Sequence, residues 1–461
     1  CGLVQNMLQL IIARAFQGIG AGAMMSMPRA TIGDIFNPRE RGRWMGVISS
    51  AFGIASIIGP TFGGWVTDQW GWRWVFYVNL PVAAVALIAV LYALPSVRTE
   101  EQVAVDWIGG ALLIVGLVPL LLALTWAGSE YAWGSPLILS LFGASVLFLG
   151  LFFHVERRAV TPIITPTLFG DRTFAGTAIV AFLVSIAMFG AIMFLPLFVQ
   201  GVMGLSAQAS GQILTPMMLS FIGGSVTGGW LLTRTGRYKQ LATAGTALMI
   251  AGMFMLARMG PSTSVWEVIR NVVTFGIGIG VILPLLNVAV QNAFPYRMMG
   301  MVSATQQFVR SLGGVVAAPV LGAVLVGTFA ADFARRLPAS VQQALQQLPA
   351  AQQAALLDPQ GLINAETQTA LRSSFDAFGA QGPELYEQFL SALRLSLASG
   401  TTRLFLLGLA ISVLALVATL YLPDRTLQQD EFFEEAGAED GARGMGDRDQ
   451  RAESRDQRRR V

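Results

Sequence analysis

Charge is scarce in this chain: only 12% of its 461 residues are Asp, Glu, Lys or Arg, against about a quarter in a soluble domain. Cysteine and histidine are scarcer still, with one of each. A lone thiol, Cys1, excludes an internal disulfide and a cysteine-held metal cluster. A lone imidazole, His154, stands at the end of an apolar run beside Glu156, Arg157 and Arg158, where an interfacial role is the simplest reading. With no buried acid in mid-span, that leaves little for a membrane-embedded enzyme acting on lipids. No G-x-x-x-x-G-K-[ST] run occurs, so no phosphate loop couples ATP to the chain. The net charge of +3 is small and most arginines sit at span ends, so nucleic acid is not an expected partner.

Apolar length fills the space that charge leaves. Hydrophobic residues make up 54% and mean hydropathy is +0.59, the composition of an all-α membrane protein. Runs long enough to cross the hydrocarbon as helices fall near 3–35, 44–67, 74–94, 107–126, 136–154, 174–200, 210–232, 240–259, 266–293, 302–327 and 403–422, about eleven spans. One alternate set of loops carries Arg39, Arg41, Arg43, Arg98, Arg157, Arg158, Arg172, Arg234, Arg237, Lys239 and Arg297; the other holds little beyond Arg73 and Arg258. Positive charge stays cytoplasmic, so the chain enters from outside and its tail is cytoplasmic. Residues 328–402, rich in Ala and Gln and broken by Pro338, Pro359 and Pro383, read as short amphipathic helices on the outer face. Residues 424–461 read as a disordered cytoplasmic tail whose Arg458, Arg459 and Arg460 suit anionic lipid.

An internal repeat sets the architecture. At one constant offset Gly18, Ile19, Gly20 and Gly22 meet Gly276, Ile277, Gly278 and Gly280. At the same offset Phe36, Arg39, Gly42 and Gly64 meet Phe294, Arg297, Gly300 and Gly322, with Asp34 on Asn292. Both copies cross in the same direction, as the parallel halves of a transporter do. Residues 1–95 then form the remainder of an N-terminal bundle, 96–172 an inserted helix pair with its linkers, and 173–423 a complete six-helix C-terminal bundle. The same count places about three spans ahead of Cys1 and gives about fourteen in all.

Specific motifs sharpen this. Arg14, Gln17, Gly18 and Gly20 form an R-x-x-Q-G-x-G pattern; Gly46, Gly59, Pro60, Gly63 and Gly64 form G-x8-G-x3-G-P-x2-G-G, with Ala55 at one glycine position. With ERGR at 40–43, WRWVFYVNLP at 72–81, LPLFVQGVMGLS at 195–206 and GWLLTRTGR at 229–237 (Thr233 where an Asp is usual), the chain resembles the major facilitator superfamily in its fourteen-helix drug:proton antiporter branch. The resemblance implies a two-bundle helical transporter, a multi-pass protein of the bacterial plasma membrane. It would work as a monomer without a cofactor, driven by the proton gradient, exporting small amphipathic drugs. A dedicated exporter of one endogenous metabolite is the alternative within transport.

Candidate residues follow from cost. Arg14 lies inside a span, where a charge costs at least about 2.5 kcal/mol, so it either shifts a nearby acid and holds substrate or bonds neighbouring carbonyls. The resemblance ties it to proton coupling and places the partner acid in a helix ahead of Cys1. Gly46, Gly59, Pro60, Gly63 and Gly64 allow close helix approach and a bend, whether for rocking or for plain packing. Gln17, Asn287, Gln306 and Arg310 are candidates for a cavity wall. Arg270 reads as snorkelling, and Gln200 and Gln291 as interhelical glue. Arg39, Glu40, Arg41 and Arg43 with Arg234 and Arg237 form either a cytoplasmic latch or a solvated hinge. The Met stretch at 24–27 and Phe182, Phe189, Phe194 and Phe198 suit a greasy pocket as well as ordinary core.

Overall fold

The apolar stretches are helical in the computed structural model, which describes residues 1–35, 38–93, 106–127, 130–159, 162–294, 298–346, 372–373, 375 and 381–423. Helix α1 (Met7–Ile35) begins at Asn6, whose side chain accepts from the Gln9 amide at 2.9 Å. Helix α2 (Pro38–Trp70) starts on a proline, tolerated in a first turn, and ends at Gly71, whose φ of 85° suits a residue without Cβ. Short α3 (Trp74–Tyr77) and α4 (Asn79–Ala93) follow.

The next pair, α5 (Trp107–Trp126) and α6 (Pro136–Glu156), carries side-chain caps at Asp106 and Ser135. Asp171 caps α7 (Arg172–Leu197) through the Thr173 and Phe174 amides, and α7 runs into a π turn at Phe198–Val202. Then come α8 (Ala207–Thr235), closed by left-handed Gly236, α9 (Tyr238–Ala257), and α10 (Val265–Gln291), opened by a Ser264–Glu267 capping box. The chain continues with α11 (Met299–Arg336), α12 (Ala339–Gln346) and α13 (Gly382–Leu420). The only β feature among the described residues is one bridge, Ala127 to Tyr131.

Every expected span falls on a helix, and among the described residues eight helices satisfy both length and apolarity. Helices α1, α2 and α8, at 29, 33 and 29 residues, are also long enough to cross.

Packing separates two regions. Helix α10 lies against α8 and α9, α7 against α11, and α13 against α7, α9 and α11, enclosing a core that includes Phe194, Phe198, Phe275, Leu321 and Phe405. The most apolar windows of α7 and α10 are each 61% buried, that of α3–α4 not at all. Helices α1, α3 and α4 therefore show open faces, while α2 reaches across to α8 and the α5–α6 hairpin leans on α11.

The two ends of the 328–402 region differ from expectation. At its start α11 runs on to Arg336, and at its end α13 starts at Gly382 and continues unbroken to Leu420, with short α12 after α11; the expectation for 347–371 lies outside the described residues. Pro383 stands in the first turn of α13, where proline starts a helix rather than breaking one. The extensions bury Phe329, Phe333, Phe375 and Phe389 together, with ring centroids 5.2 to 5.7 Å apart. An aromatic core of this kind supports helix beyond the bilayer. The tail from 424 lies outside the described residues.

Candidate functional site

The closest approach between the first helices and the C-terminal bundle is the seam of α2 and α8. A Cβ on Gly64 would sit 2.6 Å from the Ala207 carbonyl oxygen, and one on Gly211 would strike the Pro60 carbonyl. Backbone meets backbone at both points, which only glycine permits. One turn beyond Gly211 on α8 the Thr61 and Thr215 hydroxyls lie 2.8 Å apart. Thr215 also bonds the Gly211 carbonyl at 3.1 Å, so Thr61 is the natural donor to Thr215. Asp68 Oδ2 accepts from the Gln208 amide at 2.9 Å, and a Cβ on Gly53 would meet Ile222 at 3.3 Å. Contacts thus climb α8 as they descend α2, an antiparallel pair.

This geometry splits the glycine–proline motif. Pro60 and Gly64, one turn apart, face α8, whereas Cβ atoms on Gly59 and Gly63 would meet nothing within 4 Å. Gly46 lies on α2 with its surroundings outside the described residues. The repeated glycines divide likewise. Gly276 and Gly280 abut α8 and Gly278 abuts α9, while Gly18, Gly20 and Gly22 have open space beside them.

Arg14 was expected to be buried; its side chain is exposed, because α1 packs chiefly on α2 and leaves the arginine's face open. Its guanidinium donates to Gln17 Oε1 at 3.2 Å and lies 5.1 Å from the centre of the Phe76 ring, joining α1 to α3. Gln17, also exposed, accepts from Cys1 Sγ as well.

The other cavity candidates part company. Gln306 is 4% exposed and donates to the Leu286 carbonyl at 3.3 Å, tying α11 to α10. Asn287 is exposed on α10 and Arg310 half-buried on α11. Arg270 is exposed and reaches Asn271 Oδ1 at 3.3 Å, and buried Asn271 donates to the Met255 carbonyl on α9. Gln200 is half-buried in the π turn, and the side chain of Gln291 lies outside the described residues. Phe194 and Phe198 belong to the core; Phe189 is exposed.

Of the basic cluster, the side chains of Arg39, Glu40, Arg41 and Arg43 lie outside the described residues. Arg234 packs on Trp230 one turn back on α8, 3.9 Å from its ring centre, and Arg237 is exposed beyond it. Nearby, Tyr238 donates to the Pro423 carbonyl, pinning the start of α9 to the end of α13.

Sequence reasoning passed over Thr61, Thr215 and Asp68, since hydroxyls and a span-end acid carry no helix-crossing signal of their own. It also passed over burial at Glu156. That residue is 1% exposed, accepts from the Ile163 amide at 3.2 Å, and shares the space around Gly109 with Asp106. One oxygen of each acid, Glu156 Oε2 and Asp106 Oδ2, is buried without a partner.

Comparison with known proteins agrees with this architecture. The family model "Major Facilitator Superfamily" matches residues 1–318. Multidrug transporter protein MdtP of Bacillus subtilis is 36% identical over 447 residues, 96% of this chain and 82% of that protein. Multidrug resistance protein 3 of the same organism is 34% identical over 428 residues, 92% and 79% respectively. The crystal structure of a bacterial homolog to the human lysosomal transporter Spinster, inward-facing and unoccupied, matches with a TM-score of 0.57 at 18% identity. That match covers 91% of this chain and 80% of the other. These relatives are transporters rather than enzymes, and the helices found here suit a multi-pass membrane protein. The chain belongs to the Major Facilitator Superfamily.

Proposed function

We propose that the protein is a secondary active exporter of the bacterial plasma membrane, exchanging entering protons for leaving amphipathic compounds by alternating access. The observation that carries this reading is the α2–α8 seam. Among the described residues, backbone-to-backbone contacts at Gly64 and Gly211, a hydroxyl pair and the Asp68–Gln208 bond make an interface held by close fit and a few hydrogen bonds. Such an interface opens as a unit, because glycines leave no interlocked side chains to unpick. Two relatives bear multidrug names, which supports drugs as cargo.

In this reading the contacts from Gly53 to Asp68 close the outer side, the end that the arginine distribution assigns to the exterior. The likeness to an inward-facing structure supports the same state. Arg14 carries a fixed charge for coupling. Arginine keeps its proton, so it acts by biasing a neighbouring acid or by holding an anionic group. Gln17 and Phe76 aim it through a hydrogen bond and a ring face. Amphipathic cargo would meet polar Asn287 and Arg310 within otherwise apolar walls.

The test is exchange in liposomes. Adding substrate to the reconstituted transporter should release protons, and an imposed proton gradient should drive substrate against its own gradient. Substrate flux indifferent to the proton gradient would overturn the exchange.

A further inference from the structure

We propose that Asp68 is the detachable fastener of the outer gate. It sits on α2 in the first bundle yet caps the first turn of α8 in the second, its Oδ2 taking the Gln208 amide at 2.9 Å. This rests on the alternating-access reading above and adds a residue with a named job to it.

The capping arrangement is redundant, and the redundancy is informative. Helix α8 already has its own N-cap, Ser206, whose hydroxyl accepts from the Ala209 amide at 3.2 Å. Removing Asp68 therefore leaves α8 with a capped end, so the Asp68 bond is not needed to build the helix. What it does is join two bodies: a carboxylate placed on the positive end of a helix dipole, across the seam. Just below it the backbones touch at Gly64 and Ala207, which brings the amide within reach. When the outer ends part, Gln208 loses this acceptor to water and Ser206 keeps the helix intact. The bond thus biases one state of the cycle without altering either fold. A hydrogen bond to a charged group at an exposed site shifts such a two-state ratio by roughly three- to ten-fold.

The donor is a backbone amide, which allows an unusually clean test. Gln208 stands in the first turn of α8, where proline is tolerated and its ring carbon replaces the N–H that Asp68 accepts from. Spin labels at Gln5→Cys and Ser262→Cys, in a Cys1→Ser background, report the distance between the two bundles at their outer ends. Asp68→Ala and Gln208→Pro should each raise the outward-open population roughly three- to ten-fold. The double variant should move it no further than either alone, since both remove the same bond. Asp68→Asn, which keeps an acceptor oxygen, should shift it less, and Gln208→Ala should leave it unchanged. Unaltered distances in Asp68→Ala, or a double variant whose shift is the product of the two singles, would overturn the assignment. The measurement needs neither substrate nor proton flow, so it can fail while exchange succeeds, and the reverse.

Discussion

At the scale of single residues, what matters is which face of a helix a small side chain occupies. Gly59 and Gly63 lie on one line of α2, Pro60 and Gly64 on the next, and only the second line touches α8. Gly64→Ala should wedge the seam at about 1–3 kcal/mol, the usual cost of overpacking, seen as a lower melting temperature in detergent. Gly59→Ala should leave melting unchanged, because its added methyl meets open space. Any transport lost in that variant then reports motion rather than packing. The motif was legible in the sequence, yet its two lines were not distinguishable there, because only the partner helix decides which one is the interface. Arg14 shows the same limit. Its place within a span was legible, while its exposure depends on what packs beside α1. Replacing Arg14 with Ala should abolish proton-driven exchange and leave membrane insertion intact, checked by flux in liposomes and by protein yield.

At the scale of elements, apolar length is the strongest signal a chain carries. All the expected spans became helices, and their internal ends were placed by readable caps such as Asp171, Ser206 and the Ser264–Glu267 box. The misreading lies where hydropathy falls while helix continues. The stretch before Thr401 in α13 mixes Glu, Gln and Arg with Leu and Phe, so it reads as amphipathic and separate. Its continuity comes from a tertiary event, the burial of Phe329, Phe333, Phe375 and Phe389 against one another. Phe389→Ala should therefore cost about 3–5 kcal/mol and loosen the ends of α11 and α13, seen as faster amide exchange from about Gly382 to Ser399. Exchange in α8 and α10 should not change.

At the scale of the molecule, the repeat places two hairpins of like pattern in one chain, and the second is enclosed by its own bundle. Among the described residues the first reaches that bundle most extensively through α2, which makes the α2–α8 seam the joint on which the proposed cycle depends. Close glycine contacts, the Thr61–Thr215 hydroxyl bridge and the Asp68 cap hold it among the described residues, all compatible with parting and re-forming. The most direct test pairs Thr61→Cys with Thr215→Cys, whose native hydroxyls lie 2.8 Å apart. With Cys1 replaced by Ser, oxidation should form the cross-link readily, stop transport, and release it again on reduction. A cross-linked transporter that still turns over at the full rate would contradict the account, because the seam would then never need to open.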